Sequence, residues 1–320
     1  MYLITGATGF VGQQLCRMME DRGLPFRRTS RLPRPGHCTI GSITPQTDWG
    51  KALEGVDTTI HLAARVHVMQ ETASDPLADF RAMNVDATLN LARQAADAGM
   101  RRFVFASSIK VHGESTPDGT SFSADDLPEP QDAYGYSKAE AERALLELGK
   151  DRGMEIVIVR PPLVYGPGVG ANFALLMRLA GSGMPSVFGA CDNRRSLIYV
   201  GNLCDLLLTA AVHPMAAGQI FLASDGDDLS TRALFEQLAR LQGRRALSLP
   251  VPPSFLKTLA KMLGKSAITD RLLKNLQVDI GKTRTLLDWA PPYSVADGLQ
   301  QTVALRKRSN SSLNPGKAVP

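Results

Sequence analysis

Apolar positions in the first half of the chain alternate between two spacings. Short, largely apolar runs stand at 2–5, 58–63, 102–106 and 155–159, as expected of strands buried on both faces, and 25–29 is a candidate second strand. Between them the spacing turns helical. Phe10, Val11, Leu15, Met18 and Met19 form one stripe that stops at Gly23, and longer helical patterns cover 76–99 and 134–150. Strands separated by helices of that length predict parallel pairing, because a parallel neighbour needs a crossover of a dozen or more residues. The expected fold class is α/β, a doubly wound parallel sheet.

The alternation breaks after Arg160. PPLVYGPGVG is rich in Pro and Gly and reads as a loop leaving the sheet. Helical patterns follow at 173–179, 203–212, 232–241 and 257–263, and 218–223 (GQIFLA) reads as one more strand of the main sheet. Residues 1–165 are thus expected to form a sheet domain to which 196–225 return. Residues 166–195 and 226–305 are expected to form a smaller, interleaved α+β lobe. The end, 306–320, is polar from Ser309 onward and is expected to be a disordered tail.

Composition narrows the function classes. The 320 residues carry 36 Lys and Arg against 31 Asp and Glu, a formal charge of +5, with 44% apolar and 21% charged residues. Those are ordinary values for a globular chain. No 18-residue apolar run occurs, so no membrane-spanning helix is expected. Met1 leads directly into YLITGATG, so no secretory signal is expected and a cytoplasmic location is. Cys16, Cys38, Cys191 and Cys204 form no C-x-x-C and no Cys/His cluster. They are read as buried or incidental thiols, without a disulfide scaffold or a metal site. Basic clusters at Arg27, Arg28, Arg31 and Arg34, and at Arg306, Lys307, Arg308 and Lys317, lack interleaved aromatics. No nucleic-acid partner is expected.

The first strand runs into Thr5-Gly6-Ala7-Thr8-Gly9-Phe10-Val11-Gly12 and then into the first helix. Gly6 suits a tight turn, Gly9 lets a pyrophosphate approach the backbone, and Gly12 allows close helix–strand packing. The helix N-terminus then faces the phosphates. At the end of the second strand an acid would bind the ribose 2′-hydroxyl of NAD(H) and repel a 2′-phosphate. Here the stretch is Arg27-Arg28-Thr29-Ser30-Arg31, with no acid. Ser30 could donate to a phosphate and Arg31 could pair with one. NADP(H) is the favoured cofactor, with NAD(H) the alternative.

Tyr134-Gly-Tyr136-Ser-Lys138 contains Y-x-x-x-K at a predicted helix start. Residues four apart share a helix face. An ammonium beside a phenol, whose free pKa is about 10, stabilises the phenolate. Tyr136 has no such lysine and is read as a packing or substrate-wall residue. Ser107 and Ser108 follow the strand at 102–106, at the sheet edge where ligands bind. A hydroxyl there could bond the substrate oxygen that Tyr134 protonates.

TGATGFVG, HLAA (61–64), SSIKVHG (107–113), YGYSK and RPPLVYGPG (160–168) together resemble the extended short-chain dehydrogenase/reductase family. Within it the chain is similar to nucleotide-sugar epimerases, dehydratases and ketoreductases, over residues 1 to about 305. The resemblance implies a Rossmann-type domain, a nucleotide-sugar-binding outer lobe and a homodimer. It makes Ser108, Tyr134 and Lys138 the catalytic set. It places the cofactor on Gly6, Thr8, Gly9, Phe10, Val11, Gly12, Ser30, Arg31, Ser42, Ile43, Leu62, Ala63, Ala64, Asn84, Ser107, Pro161 and Leu163, with Tyr134 and Lys138. It places a UDP-sugar on Ser108, Lys110, Asn172, Arg195 and Arg271, with Lys274 nearby.

Departures from the family pattern bear on the reaction. Gly41-Ser42-Ile43 stands where an acid often lies near adenine, and Ile109 and Lys110 replace the Asp-Glu pair of the dehydratases. His112 and His61 are read as packing or structural residues. SSIKVHGE, NRRSLIYVGNL and LSTRALF are similar to sugar 4-reductases of bacterial O-antigen (lipopolysaccharide) synthesis. The expected activity is therefore reduction of the C4 ketone of a UDP-4-keto-6-deoxy-N-acetylhexosamine. The alternative is a UDP-hexose 4-epimerase with tightly held NAD. A non-catalytic NADP sensor and a hydroxysteroid-type dehydrogenase are lesser readings.

Overall fold

The structure is a computed structural model that describes residues 1–66, 75–262 and 266–312. Its first half reads β1 (Tyr2–Thr5), α1 (Phe10–Asp21), β2 (Phe26–Ser30), β3 (His37–Thr39), α2 (Gly50–Leu53) and β4 (Thr58–His61). Then come α3 (Pro76–Arg81), α4 (Ala87–Asp97), β5 (Arg102–Ala106), α5 (Ala133–Arg152) and β6 (Glu155–Arg160). The second half adds β7 (Leu163–Tyr165), α6 (Ala171–Ser182), β8 (Leu197–Tyr199), α7 (Val200–Val212) and β9 (Ile220–Leu222). It closes with α8 (Thr231–Leu241), α9 (Pro253–Met262), α10 (Ser266–Leu273), α11 (Gly281–Leu287) and α12 (Val295–Ser312).

The main sheet has seven parallel strands in the order β3-β2-β1-β4-β5-β6-β9. The order reverses between β1 and β4, and ligands of such sheets bind at the strand ends beside that point. The fold is Rossmann-type, with 218–223 supplying the last strand as expected. Alternate residues of each strand face opposite layers. Ile4, Ile60, Val104, Val157 and Val159 join one buried cluster with residues of α1 and α7. Leu3, Phe103, Phe105, Ile156 and Ile158 join the other, with Trp49 and residues of α4 and α5.

The structure departs from the sequence pattern in three places. The 76–99 helix is interrupted by a π-helical turn at Ala82–Asp86. Part of the Pro/Gly-rich stretch taken for a loop is β7, which pairs in parallel with β8 as a separate two-stranded sheet. β3 is three residues long, too short for a hydrophobic pattern to show. In addition α12 continues through Ser312, into the expected irregular tail; residues 313–320 lie outside the described residues.

The chain passes repeatedly between the main sheet and this outer group, since β7 and β8 fall between β6 and β9 in sequence. The junction is polar and buried. Asp225, just after β9, accepts from the Tyr165 hydroxyl (2.8 Å), the Tyr199 amide (2.8 Å) and the Asn202 side chain (2.7 Å). Helix α12 lies on the same aromatics, and a Cβ on Gly298 would come 2.5 Å from the Tyr165 hydroxyl. All four cysteines are free thiols. Among the described residues no helix is long and apolar enough to cross a membrane.

Candidate active site

The glycine turn is shaped by contacts that exclude a side chain. Gly6 adopts φ +67°, and a Cβ there would lie 2.7 Å from the Ala63 amide nitrogen and 2.8 Å from the Leu62 carbonyl carbon. A Cβ on Gly12 would lie 2.2 Å from the Gly6 carbonyl oxygen. The Gly9 amide donates to that oxygen at 2.9 Å. Thr8 and Gly9 are exposed at the crest, with Phe10 and Val11 opening α1 behind them. No side chain caps α1, so its first amides face outward as an anion site. This bare cradle beside the β1/β4 reversal fits a dinucleotide diphosphate.

The adenosine end is looser. The Ser30 hydroxyl donates to the Leu32 carbonyl at 2.7 Å, so its proton is engaged rather than offered to a 2′-phosphate. Arg31 and Ser42 are exposed, while Ile43 packs on the cluster around Trp49. The Ser42 carbonyl accepts from the Thr47 hydroxyl.

After β4 the chain is clamped by Asn84. Its Oδ1 accepts from the Arg65 amide (2.8 Å), and its Nδ2 donates to the Arg65 carbonyl (3.0 Å) and the Ser137 hydroxyl (2.9 Å). Ser137 in turn donates to the Tyr134 carbonyl at 2.8 Å. Asn84 thus ties the chain beyond Ala63 and Ala64 to α5. It sits in the π-helical turn, a local widening that recurs at functional sites. His61 is buried between Thr5 (2.8 Å) and Thr88 (3.1 Å). Burial first, and the Lys138 charge second, push its pKa down to about 3. It is a structural histidine.

Helix α5 opens on Asp132, whose carboxylate accepts from the Gly135 amide at 2.7 Å. A Cβ on Gly135 would lie 2.7 Å from the Lys110 carbonyl, so the first turn packs directly on the segment after Ser108. That approach sets Ser108 beside the Tyr134 phenol, and both line the same cleft. Burial raises the Tyr134 pKa to about 12, while the Ser108 hydroxyl pulls it down. Lys138 is buried, donates to the Ala106 carbonyl at 2.7 Å and rests 3.8 Å from the Phe105 ring centroid. Burial lowers its own pKa to about 7. The sequence expectation of a phenol lowered by the neighbouring cation is not met in the protein alone, because burial raises its pKa and the Asp132 charge adds to the rise. The Ser107 hydroxyl, buried beside this set, has no hydrogen-bond partner among the described residues.

A cleft of about 430 Å³ opens beside Ser108 and Tyr134. Lys110, Leu163, Asn172, Arg195 and Arg271 line it. Lys110 pairs with Glu114 (2.7 Å) and with Asp132, and Arg271 reaches Glu114 at 3.4 Å. Arg195 donates to the Lys274 carbonyl at 2.9 Å. Burial, then the Arg271 charge, bring its pKa down to about 10. Pro161 contributes its carbonyl, which accepts from the Ile109 amide.

Two expectations need correction. Tyr136 is 51% exposed and does not line the cleft, because it faces away from Tyr134 on the first turn. Lys274 also stands off, its ammonium paired with Asp270 at 3.0 Å.

Sequence reasoning missed a buried ion network behind Lys138. Arg160, at the end of β6, pairs with both oxygens of Glu142 (3.0 and 3.1 Å) and with His112 Nε2 at 2.7 Å. His112 stacks on Phe122. Its pKa is pushed down to about 4, by burial and then by Arg160. The signals were an arginine ending an apolar strand and a glutamate one turn after Lys138.

Comparison with known proteins agrees with this geometry. The NAD dependent epimerase/dehydratase family matches residues 2–223. A UDP-glucose 4-epimerase of Vibrio cholerae is 42% identical, over 97% of this chain and 96% of that protein. The structure of MoeE5 in complex with UDP-glucose and NAD superposes with a TM-score of 0.77 at 25% identity, covering 97% of this chain and 99% of that one. A UDP-N-acetylglucosamine 4-epimerase from Bacillus cereus shares the fold, with a TM-score of 0.79 at 20% identity over 95% and 99% of the two chains. The chain belongs to the NAD dependent epimerase/dehydratase family.

Proposed function

We propose that this chain is a UDP-hexose 4-epimerase that keeps its dinucleotide bound through the cycle. The observation that carries this reading is the end-to-end similarity to a UDP-glucose 4-epimerase, 42% identical over 97% of the chain. Support from geometry lies in a single proton-transfer set, Ser108, Tyr134 and Lys138, between the glycine turn and a cleft lined by Arg195 and Arg271. This reading replaces the 4-ketoreductase as the first choice.

Gly6, Gly9 and Gly12 would hold a dinucleotide, which when bound would supply hydride exchange at the sugar C4. The protein's own part is proton transfer and orientation. Tyr134 in its phenolate form takes the C4 hydroxyl proton, becoming the phenol, and returns that proton after the ring turns over. Ser108 bonds the same oxygen and holds it against Tyr134. Lys138, fixed by the Ala106 carbonyl, keeps a cation near the developing phenolate. Arg195 and Arg271 hold the diphosphate, which must pull Arg271 from Glu114. Dehydration lacks its machinery: Ile109 is buried, and Lys110 is committed to Glu114 and Asp132. In this reading residues 1–165 with 196–225 hold the dinucleotide, and 166–195 with 226–305 hold the nucleotide sugar.

The second reading is reduction of a UDP-4-keto-6-deoxy-N-acetylhexosamine. One observation favours it: the β2 end carries no acid and exposes Arg31, which suits NADPH. Purified protein incubated with UDP-glucose and no added cofactor is expected to form UDP-galactose, read by NMR, and to carry NAD. Absence of epimer, together with oxidation of added NADPH by the 4-keto sugar, would select the reductase.

A further inference from the structure

A run of the second half combines exposed apolar side chains with an excess of positive charge. It is built from the segment after α6, the segment after α8, and α9. Segments 184–189 and 247–249 run side by side, the Leu249 amide donating to Ser186 at 2.8 Å and the Gly189 amide to Leu249 at 2.9 Å. The Ser186 and Ser248 hydroxyls bond each other at 2.9 Å on one side of this ribbon. Residue alternation therefore sends Val187, Leu247 and Leu249 to the other side, where the two leucines are 54% and 52% exposed.

Pro250, Pro252 and Pro253 lead from Leu249 into α9. There Phe255 is 61% and Met262 80% exposed. They are seven residues apart and share a helix face. Lys257 and Lys261 are exposed on the same helix. Arg244 and Arg245 are exposed just before the ribbon, and Arg244 Nε donates to the Gly181 carbonyl at 3.1 Å, joining the patch to the end of α6. From 237 to 262 the chain has five cations, Arg240, Arg244, Arg245, Lys257 and Lys261, and no Asp or Glu. Arg240 pairs with Glu236 at 3.3 Å, which leaves Arg244, Arg245, Lys257 and Lys261 as the cations of the patch.

From this juxtaposition we infer that the α9 face docks on an anionic lipid bilayer. Phe255 and Met262 enter the headgroup–acyl boundary, and the flanking arginines and lysines meet the lipid phosphates. Apolar insertion and anionic attraction act together in interfacial helices of this kind. A patch meant for a protein partner of ordinary composition would not need acid excluded from 26 consecutive residues. Docking would set the cleft beside the membrane surface, since Leu175 and Leu179 of α6 line the cleft and are exposed on the helix that Arg244 meets.

The test is flotation of the full chain with vesicles of phosphatidylcholine, with and without phosphatidylglycerol, at low and high salt. Binding is expected only to the vesicles containing phosphatidylglycerol, and salt should weaken it. Phe255→Ser with Met262→Ser, and separately Lys257→Glu with Lys261→Glu, should each reduce binding by roughly tenfold or more. Both pairs are exposed, so circular dichroism and thermal midpoint should match the parent. No binding to anionic vesicles, equal binding to both kinds, or binding unchanged in both variants would overturn the inference. So would a dimer by light scattering that the Phe255/Met262 variant dissociates, which would make a second copy the occupant.

Discussion

The two ends of the dinucleotide crevice are built differently. At the β5/α5 end the proposed catalytic groups sit among fixed neighbours: Lys138 on Ala106 and Phe105, and the first turn of α5, which carries Tyr134, on Asp132 and the Lys110 carbonyl. At the β2 end Arg31 and Ser42 stand in solvent, and Ser30 is turned onto Leu32. Chemistry needs positions fixed to fractions of an ångström, whereas distinguishing a ribose hydroxyl from its phosphate needs a charge of the right sign nearby. In the proposed reading the rigid end carries the chemistry, and the open end leaves cofactor choice adjustable.

The sharpest way to break the contrast is Tyr134→Phe. The ring and its edge contact with Phe80 remain, so folding should be unchanged while kcat falls by about 10²- to 10⁴-fold. Steady-state rates beside a thermal melt check this. Glu142→Ala should follow in size, because it leaves the Arg160 guanidinium buried without its carboxylate. Breaking such a pair costs about 3–5 kcal/mol, read by chemical denaturation. Gly12→Ala places a methyl 2.2 Å from the Gly6 carbonyl. It should abolish dinucleotide retention, measured by absorbance of released cofactor, and lower stability by about 1–3 kcal/mol.

At the open end Arg31→Asp should change little but selectivity. Affinity for NADP(H) is expected to fall roughly tenfold relative to NAD(H), about 1.4 kcal/mol, by fluorescence titration. The smallest effect is on acid stability. His112, lowered to about 4 by burial and Arg160, binds a proton more readily unfolded, near 6.5. The unfolded state thus gains protons first, so stability present above pH 6.5 is lost as pH falls toward 4. His61 adds the same sign over a window reaching about 3. The thermal midpoint should drop across that range, and less steeply in His112→Gln.

Much of the inner sheet was legible because its strands are buried on both faces and read as apolar runs; 102–106 coincides with β5. The glycine turn was legible for a steric reason, since Gly6 and Gly12 face backbone atoms under 3 Å from where a Cβ would sit. Other features left little local trace. The Leu163–Tyr165 strand exists only because 197–199 lies beside it. The π-helical turn at Asn84 answers to contacts with 65 and 137. Tyr134 acidity was misjudged because residue spacing reports the neighbouring cation but not the burial of the phenol. The Lys274 side chain was misplaced because a four-residue ion pair with Asp270 draws it outward.

The repeated crossings between the main sheet and the outer strands have a kinetic corollary. A clamshell opens on one hinge, but this seam is stitched at several points, with Asp225, Tyr165 and α12 acting as rivets. A wide swing would have to tear all of them together. Small molecules should therefore come and go by loosening at the rim.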